Sequence, residues 1–368
     1  MQALLAPLLE FADYQEIVRD RKKNKGIIQV AGCTSSQKTH LMYALGDGCE
    51  YRVIAFSGEE KAKKAYEEYR IFTDAVFLYP ARDLLFYYAD IKGKTITDRR
   101  MEVLRTLIEK KKGQPVTVIT TMDAFLDGLP HPEEIRRERI SLSGGDVIDL
   151  TEFEKRLFEL GYERESQIEG PGQFAVRGGI LDVFPLTEEL PVRIELWGDE
   201  IDSIRSFDVE SQRSIENLET VIIYPASENW KQEMETVSFL EYFPEEKSLL
   251  LLDEPQRLQE MAEEVEREYF HSRKNRIEAG MDEEESVSLK VFETKDIISR
   301  MNQYSGIGVT TLESKCGLFK VRKTYSIQAR AVNPYNNSFE LLTRDLKRLK
   351  REKYRVVLLS ASRTRAKR

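Results

Sequence analysis

From Gly26 to about Leu129, short runs of consecutive apolar residues alternate with longer stretches whose apolar residues return every three or four positions. GIIQVAG (Gly26–Gly32), YRVIAFS (Tyr51–Ser57), AVFLYP ending at Pro80 and PVTVITT from Pro115 read as strands buried on both faces. Ser36–Leu45, EEKAKKAYEEYRIF and Thr97–Lys112 read as helices; in the last, Met101, Leu104, Leu107 and Ile108 form one stripe. This alternation predicts a parallel sheet covered by helices. The rhythm breaks at LPHPEEI, from Leu129. Thr151-x-x-Glu154 predicts a capped helix stopped by Gly161, and short strands follow: QFAVRG, GILDVFP, PVRIELWGDEIDSIRSFD and TVIIYP. Trp197-Gly198-Asp199-Glu200 reads as a hairpin turn beside Val192, Ile194 and Leu196, which alternate with polar neighbours. The α/β rhythm then resumes with SLLLLDE (Ser248–Glu254), an acidic helix from Gln256, and strand candidates VSLKVFE, GIGVTTLES and CGLFKVR.

The pattern therefore predicts an α/β fold, a discontinuous parallel-sheet lobe interrupted by an inserted α+β, β-rich domain. The expected segments are 1–128 and 225–332 for the lobe, 129–224 for the insert, and 333–368 for the start of a further unit. In that last segment Phe339, Leu342, Leu346 and Leu349 form a helix stripe, and YRVVLLSAS reads as a strand whose following helix is missing.

Composition narrows the function classes. The 368 residues are 41% apolar and 33% charged, enough to build ordinary cores. No apolar run reaches the roughly 18 residues of a membrane helix, and the N-terminus has no basic signal region, so we expect a cytoplasmic protein without membrane partners. Three cysteines (Cys33, Cys49, Cys316) without C-x-x-C spacing and three scattered histidines argue against a disulfide scaffold or a metal site. Net charge is −8, but Tyr335–Arg368 holds eleven Lys/Arg against three Asp/Glu. The acidic body disfavours non-specific nucleic-acid binding; the basic tail reads first as a solvated helix face and second as a nucleic-acid contact.

Gly32-Cys33-Thr34-Ser35-Ser36-Gln37-Lys38-Thr39 falls one residue short of the phosphate-binding loop G-x-x-x-x-G-K-[ST]. Lys38 and Thr39 are the groups that would meet phosphate and Mg²⁺, whereas Gln37 stands where the second glycine lets backbone amides curl around a phosphate. Leu249–Glu254 looks like the matching acidic strand, with Asp253 for the Mg²⁺ shell and Glu254 beside it. A motor would also need a second lobe with an arginine finger. We read Gly32, Gln37, Lys38, Thr39, Asp253 and Glu254 as a degenerate nucleotide site at a strand–helix junction; the rival reading is a live ATP site. Cys33 reads as a bystander thiol, and Tyr79, Phe86, Tyr87 and Tyr88 beside Arg82 as packing rather than a stacking platform. Trp197 reads as an interface residue or a lid.

Gly172–Pro185 fits G-[QE]-F-x-x-R-G-G-[IL]-[LI]-D-[VI]-[FY]-P, followed by WGDEIDSIR and DVESQR. With FLYPARDLLFYYAD and SFLEYFPEEKSLLLLDEP, these phrases resemble the UvrB-like N-terminal module of the bacterial transcription-repair coupling factors (Mfd). The resemblance spans roughly residues 1–360 and is densest over 115–255. Against UvrB itself stand Gln37 and the shortness of Tyr79–Asp98, which has no room for a DNA-clamping aromatic hairpin. The resemblance implies that the parallel lobe is RecA-like, of the P-loop NTPase type, and that the chain is a non-catalytic module that recruits UvrA in transcription-coupled nucleotide excision repair, with no cofactor of its own. ATP/Mg²⁺, RNA polymerase and double-stranded DNA would belong to later domains of the parent, an ATP-dependent DNA translocase. Carried over by position, Arg164 and Arg177 match two UvrA-contacting arginines of UvrB, and Ala175 stands at a third. The alternative is an ATP-binding UvrB-type DNA-handling protein.

Overall fold

The computed structural model describes residues 2–23, 25–82, 94–186, 188–228, 235–280, 290–332, 334–336 and 338–356. Seven parallel strands form the main sheet, in the spatial order Val321–Ser326, Gly26–Ala31, Ser305–Val309, Ser248–Asp253, Tyr51–Phe56, Val116–Thr121, Val76–Leu78. Every residue of Val116–Thr121 and Ser248–Asp253 is buried, as strands covered on both faces require. The two-residue period divides them: Leu249 and Leu251 join Ile28, Val30, Ile54 and Ile119 on one face. Leu250 and Leu252 join Ile27, Val53 and Val118 on the other. The helix Lys94–Glu109 covers this second face with the expected stripe, Met101, Leu104, Leu107 and Ile108, all buried.

A second, six-stranded sheet runs Ser214–Asn217, Glu200–Phe207, Val192–Trp197, Ile180–Val183, Gln173–Arg177, Glu163–Arg164. Its neighbours are antiparallel except the last pair, which is parallel. Its inner face (Phe174, Leu181, Val183, Ile194) belongs to the same hydrophobic cluster as Leu250 and Leu252, so one core runs from lobe to insert within the unit Met1–Ala329. The helix Leu150–Glu159 lies on that inner face, with Phe158 set edge-on to Phe174 at 5.1 Å.

The structure shifts some expected boundaries. The cap of Leu150–Glu159 is Asp149, whose carboxylate accepts the Glu152 N–H at 3.0 Å; Thr151 lies inside the first turn. The last strand of the main sheet starts at Val321, five residues after Cys316, and among the described residues of VSLKVFE, Val291 forms a single bridge to Asp127. Gly161 does end its helix, with φ +87°. In the second unit, Arg330–Arg368, the helix Phe339–Arg351 starts at Ser338, whose hydroxyl accepts the Leu341 N–H. Most of YRVVLLSAS, and Phe86, Tyr87 and Tyr88, lie outside the described residues.

Candidate functional site

The first strand ends at Ala31, and the helix Ser35–Leu45 begins after only three intervening residues. Gln37 thus falls in the first turn, where its Oε1 accepts the Thr34 N–H at 3.0 Å. The Cys33 N–H donates to Thr310 O at 3.0 Å. Two amides that a phosphate cradle would use are already bonded. Gly32 has φ +88°, and a Cβ there would lie 1.9 Å from Ile327 O. Close approach of the neighbouring chain therefore accounts for this glycine.

The parallel sheet brings Lys38, Thr39, Asp253 and Glu254 together at the tips of its strands, beside a cavity of about 580 Å³. Lys38 Nζ contacts Asp253 Oδ1 at 2.7 Å and Glu254 Oε1 at 2.6 Å. Burial would lower the Lys38 pKa, but the two carboxylates outweigh it and hold the ammonium above its ordinary value. Burial likewise works to raise Glu254, and the bonds from Lys38 and Thr311 overcome it and hold the carboxyl low. Thr39 Oγ1 donates to Glu68 Oε2 at 2.7 Å. The ammonium and hydroxyl that a nucleotide site would aim at phosphate and metal are thus partnered within the chain. Burial pushes the Cys33 thiol up to about 12, which leaves no reactive thiolate at neutral pH.

The two candidate arginines sit on opposite faces of the six-stranded sheet. Arg164 pairs in register with Phe174 and so shares its inward face; its Nη1 reaches Glu154 Oε2, on the helix Leu150–Glu159, at 2.9 Å. Arg177 pairs with Ile180, and Ala175 with Asp182, on the outer face. There Arg177 Nη2 donates to Asp182 Oδ2 at 2.6 Å, while Arg193 grips both oxygens of the same carboxylate, Nε to Oδ1 at 2.7 Å and Nη2 to Oδ2 at 2.9 Å. Asp182 is 1% exposed and Arg177 44%.

One charged cluster carries no local sequence signal. Arg100 is fully buried; its Nε meets Glu228 Oε1 and its Nη2 meets Asp127 Oδ2, both at 2.6 Å, and its guanidinium lies 4.6 Å from the Tyr79 ring centroid. Arg82 joins the same two carboxylates. Tyr79 itself stacks on Phe239 at 3.8 Å, so this member of the aromatic cluster is packing.

Residues 140–229, which contain the whole six-stranded sheet and both candidate arginines, match the family model of the UvrB interaction domain. That stretch is similar to a UvrB interaction domain. It resembles the transcription-repair-coupling factor of Bacillus subtilis, 38% identical over 154 residues, which are 42% of this chain and 13% of that protein. The transcription-repair-coupling factors of Staphylococcus haemolyticus, 38% identical over 154 residues, and Staphylococcus aureus strain RF122, 38% identical over 159, resemble it to the same extent. The chain thus matches a small part of these relatives' length, and the aligned stretch is narrower than the 1–360 span suggested by the sequence phrases. No helix among the described residues is long and apolar enough to cross a membrane.

Proposed function

We propose that this chain is a recruitment module of transcription-coupled nucleotide excision repair, presenting the outer face of its UvrB interaction domain to UvrA. The observation that carries the reading is Arg177, which stands on a rigid strand within the matched domain. One nitrogen bonds Asp182, and the side chain remains 44% exposed. A guanidinium so placed offers a planar fork to an acidic partner, and interface arginines are frequent hot spots. Arg164 is a weaker contact on this reading, because it is tied to Glu154 on the other face. In a longer parent of the transcription-repair-coupling type, RNA polymerase and duplex DNA would engage domains outside the aligned stretch.

We also propose that this chain uses no nucleotide. Support comes from the Lys38–Asp253–Glu254 contacts and from the bonded Thr34 and Cys33 amides. The rival reading, an ATP-binding UvrB-type protein, requires that ammonium to be released.

Titration of the chain with purified UvrA, with and without ATP, tests the recruitment reading. Arg177→Ala should weaken binding by about 2 kcal/mol or more, as a hot-spot truncation does. An affinity within about threefold of the unmodified chain would remove Arg177 from the contact. Micromolar binding of Mg²⁺-ATP by calorimetry would remove the no-nucleotide reading.

A further inference from the structure

The outer face of the six-stranded sheet holds more than Arg177. Register places Arg177, Ile180 and Glu195 in one row across three strands, and Trp197 lies two residues beyond Glu195 on the same face. Trp197 pairs with Glu200, and Glu200 bridges in turn to Val147. Arg177 and Trp197 are therefore about 10–12 Å apart, and Val147 lies about 10 Å further along. Both turns that shape this end, Gly178-Gly179 and Gly198-Asp199, fall at the same edge of the sheet.

Trp197 is 85% exposed and Val147 is 74% exposed. An indole held on a two-residue hairpin turn, with nothing covering it, costs apolar hydration in the free chain. Tryptophan and arginine are also the residue types that dominate interface hot spots. The row is about 20 Å long, which fits inside one side of a standard protein–protein interface. Its charges are ordered. At one end stands the exposed Arg177; at the other, exposed Asp199 and Glu200 flank the indole.

We propose that Trp197 is the apolar anchor of the surface to which Arg177 belongs, and that the partner is a protein face of matching layout. That face carries a carboxylate opposite Arg177 and, about 10–12 Å away, a slot for an indole rimmed by Lys or Arg that answer Asp199 and Glu200. The inference rests on the UvrA reading above and names the contact that reading lacks. Val147 closes the slot from the far side. Arg164, on the opposite face, takes no part.

The test uses the full chain, purified UvrA and the variants Trp197→Ala, Trp197→Phe and Arg177→Ala, with binding followed by interferometry and folding by thermal midpoint. Trp197→Ala should weaken binding about thirtyfold or more, Trp197→Phe should recover most of that loss, and neither should move the midpoint, since the indole is solvent-exposed. If Arg177→Ala weakens binding while Trp197→Ala stays within about twofold of the unmodified chain, the anchor inference falls and the arginine reading stands. If the unmodified chain does not bind UvrA, both fall. If sedimentation shows a dimer that Trp197→Ala dissolves, the indole is covered by a second copy and the inference is overturned.

Discussion

Asp182 lies beneath two guanidiniums that are not equivalent. Arg193 is nearly buried, grips both carboxylate oxygens, bonds Gln212 Oε1 and sits 4.3 Å from the Phe207 ring centroid. Arg177 supplies a single bond from a largely solvated side chain. Removing one partner of a buried pair is costly because it leaves the other charge uncompensated, whereas solvated pairs contribute little. Arg193→Ala should therefore destabilise the chain by about 3 kcal/mol, and Arg177→Ala by less than about 1 kcal/mol. Chemical denaturation of the two variants checks this. Equal losses would mean that Arg177 is a structural residue, and its effect on UvrA binding could not be read as a contact. The same contrast explains why a sequence motif alone misleads here. Arg177 and Arg193 are strand arginines on the same face and bond the same acid, and only the two-oxygen grip and the neighbouring Phe207 separate the one that holds the sheet from the one left exposed.

At the level of elements, the first strand and the helix after it explain the degenerate loop. A helix that starts at Ser35 places Gln37 in its first turn, and the Gln37 carboxamide then bonds an amide otherwise left without a partner. The glutamine thus belongs to a short junction in which the helix begins directly after Thr34. Restoring glycine should not restore a nucleotide site. Gln37→Gly loses the side-chain acceptor and adds a flexible residue to the helix, a cost of about 1–2 kcal/mol. Lys38 should stay paired with Asp253 and Glu254, so calorimetry with Mg²⁺-ATP should record no binding up to millimolar concentration. Micromolar affinity in this variant would show that Gln37 alone had closed the site. The convergence of Lys38, Thr39, Asp253 and Glu254 was legible in the sequence because strand–loop–helix units put their loops at one end of a parallel sheet. The pairing of Lys38 with both carboxylates, and of Thr39 with Glu68, was not, because it depends on how far each side chain reaches into a shared cavity.

Across the whole molecule, the least legible feature is a charged cluster that joins segments far apart in the sequence. Arg82, Arg100, Asp127 and Glu228 are brought together by tertiary packing, with Arg100 and Glu228 separated by 128 residues, and no periodicity or motif marks them. The strands and the apolar stripe of Lys94–Glu109 were readable because their signals repeat within a few residues. A buried polar contact between distant segments leaves no such trace. The cluster balances two guanidiniums against two carboxylates, so its loss is a matter of charge as well as packing. Burial alone would raise the Glu228 pKa, yet Arg100 and Arg82 outweigh it and hold the carboxyl below its ordinary value. A depressed carboxylate contributes stability that is present above the unfolded-state value of about 4.3 and is lost as pH falls through the lower folded value. Glu228→Gln should therefore lower the thermal midpoint at pH 7 by on the order of 5 °C, the scale for an uncompensated buried guanidinium in a large unit. The difference between variant and unmodified chain should shrink as the pH is taken below the ordinary carboxylate range, toward the depressed range in which Glu228 itself becomes protonated. Burial raises Asp127, with the Glu228 charge adding to the rise, so Glu228→Gln also relieves Asp127 and the comparison reads the cluster as a unit. A midpoint difference that stays constant from pH 7 to pH 3 would mean that shape, and not charge, joins these distant segments at this point.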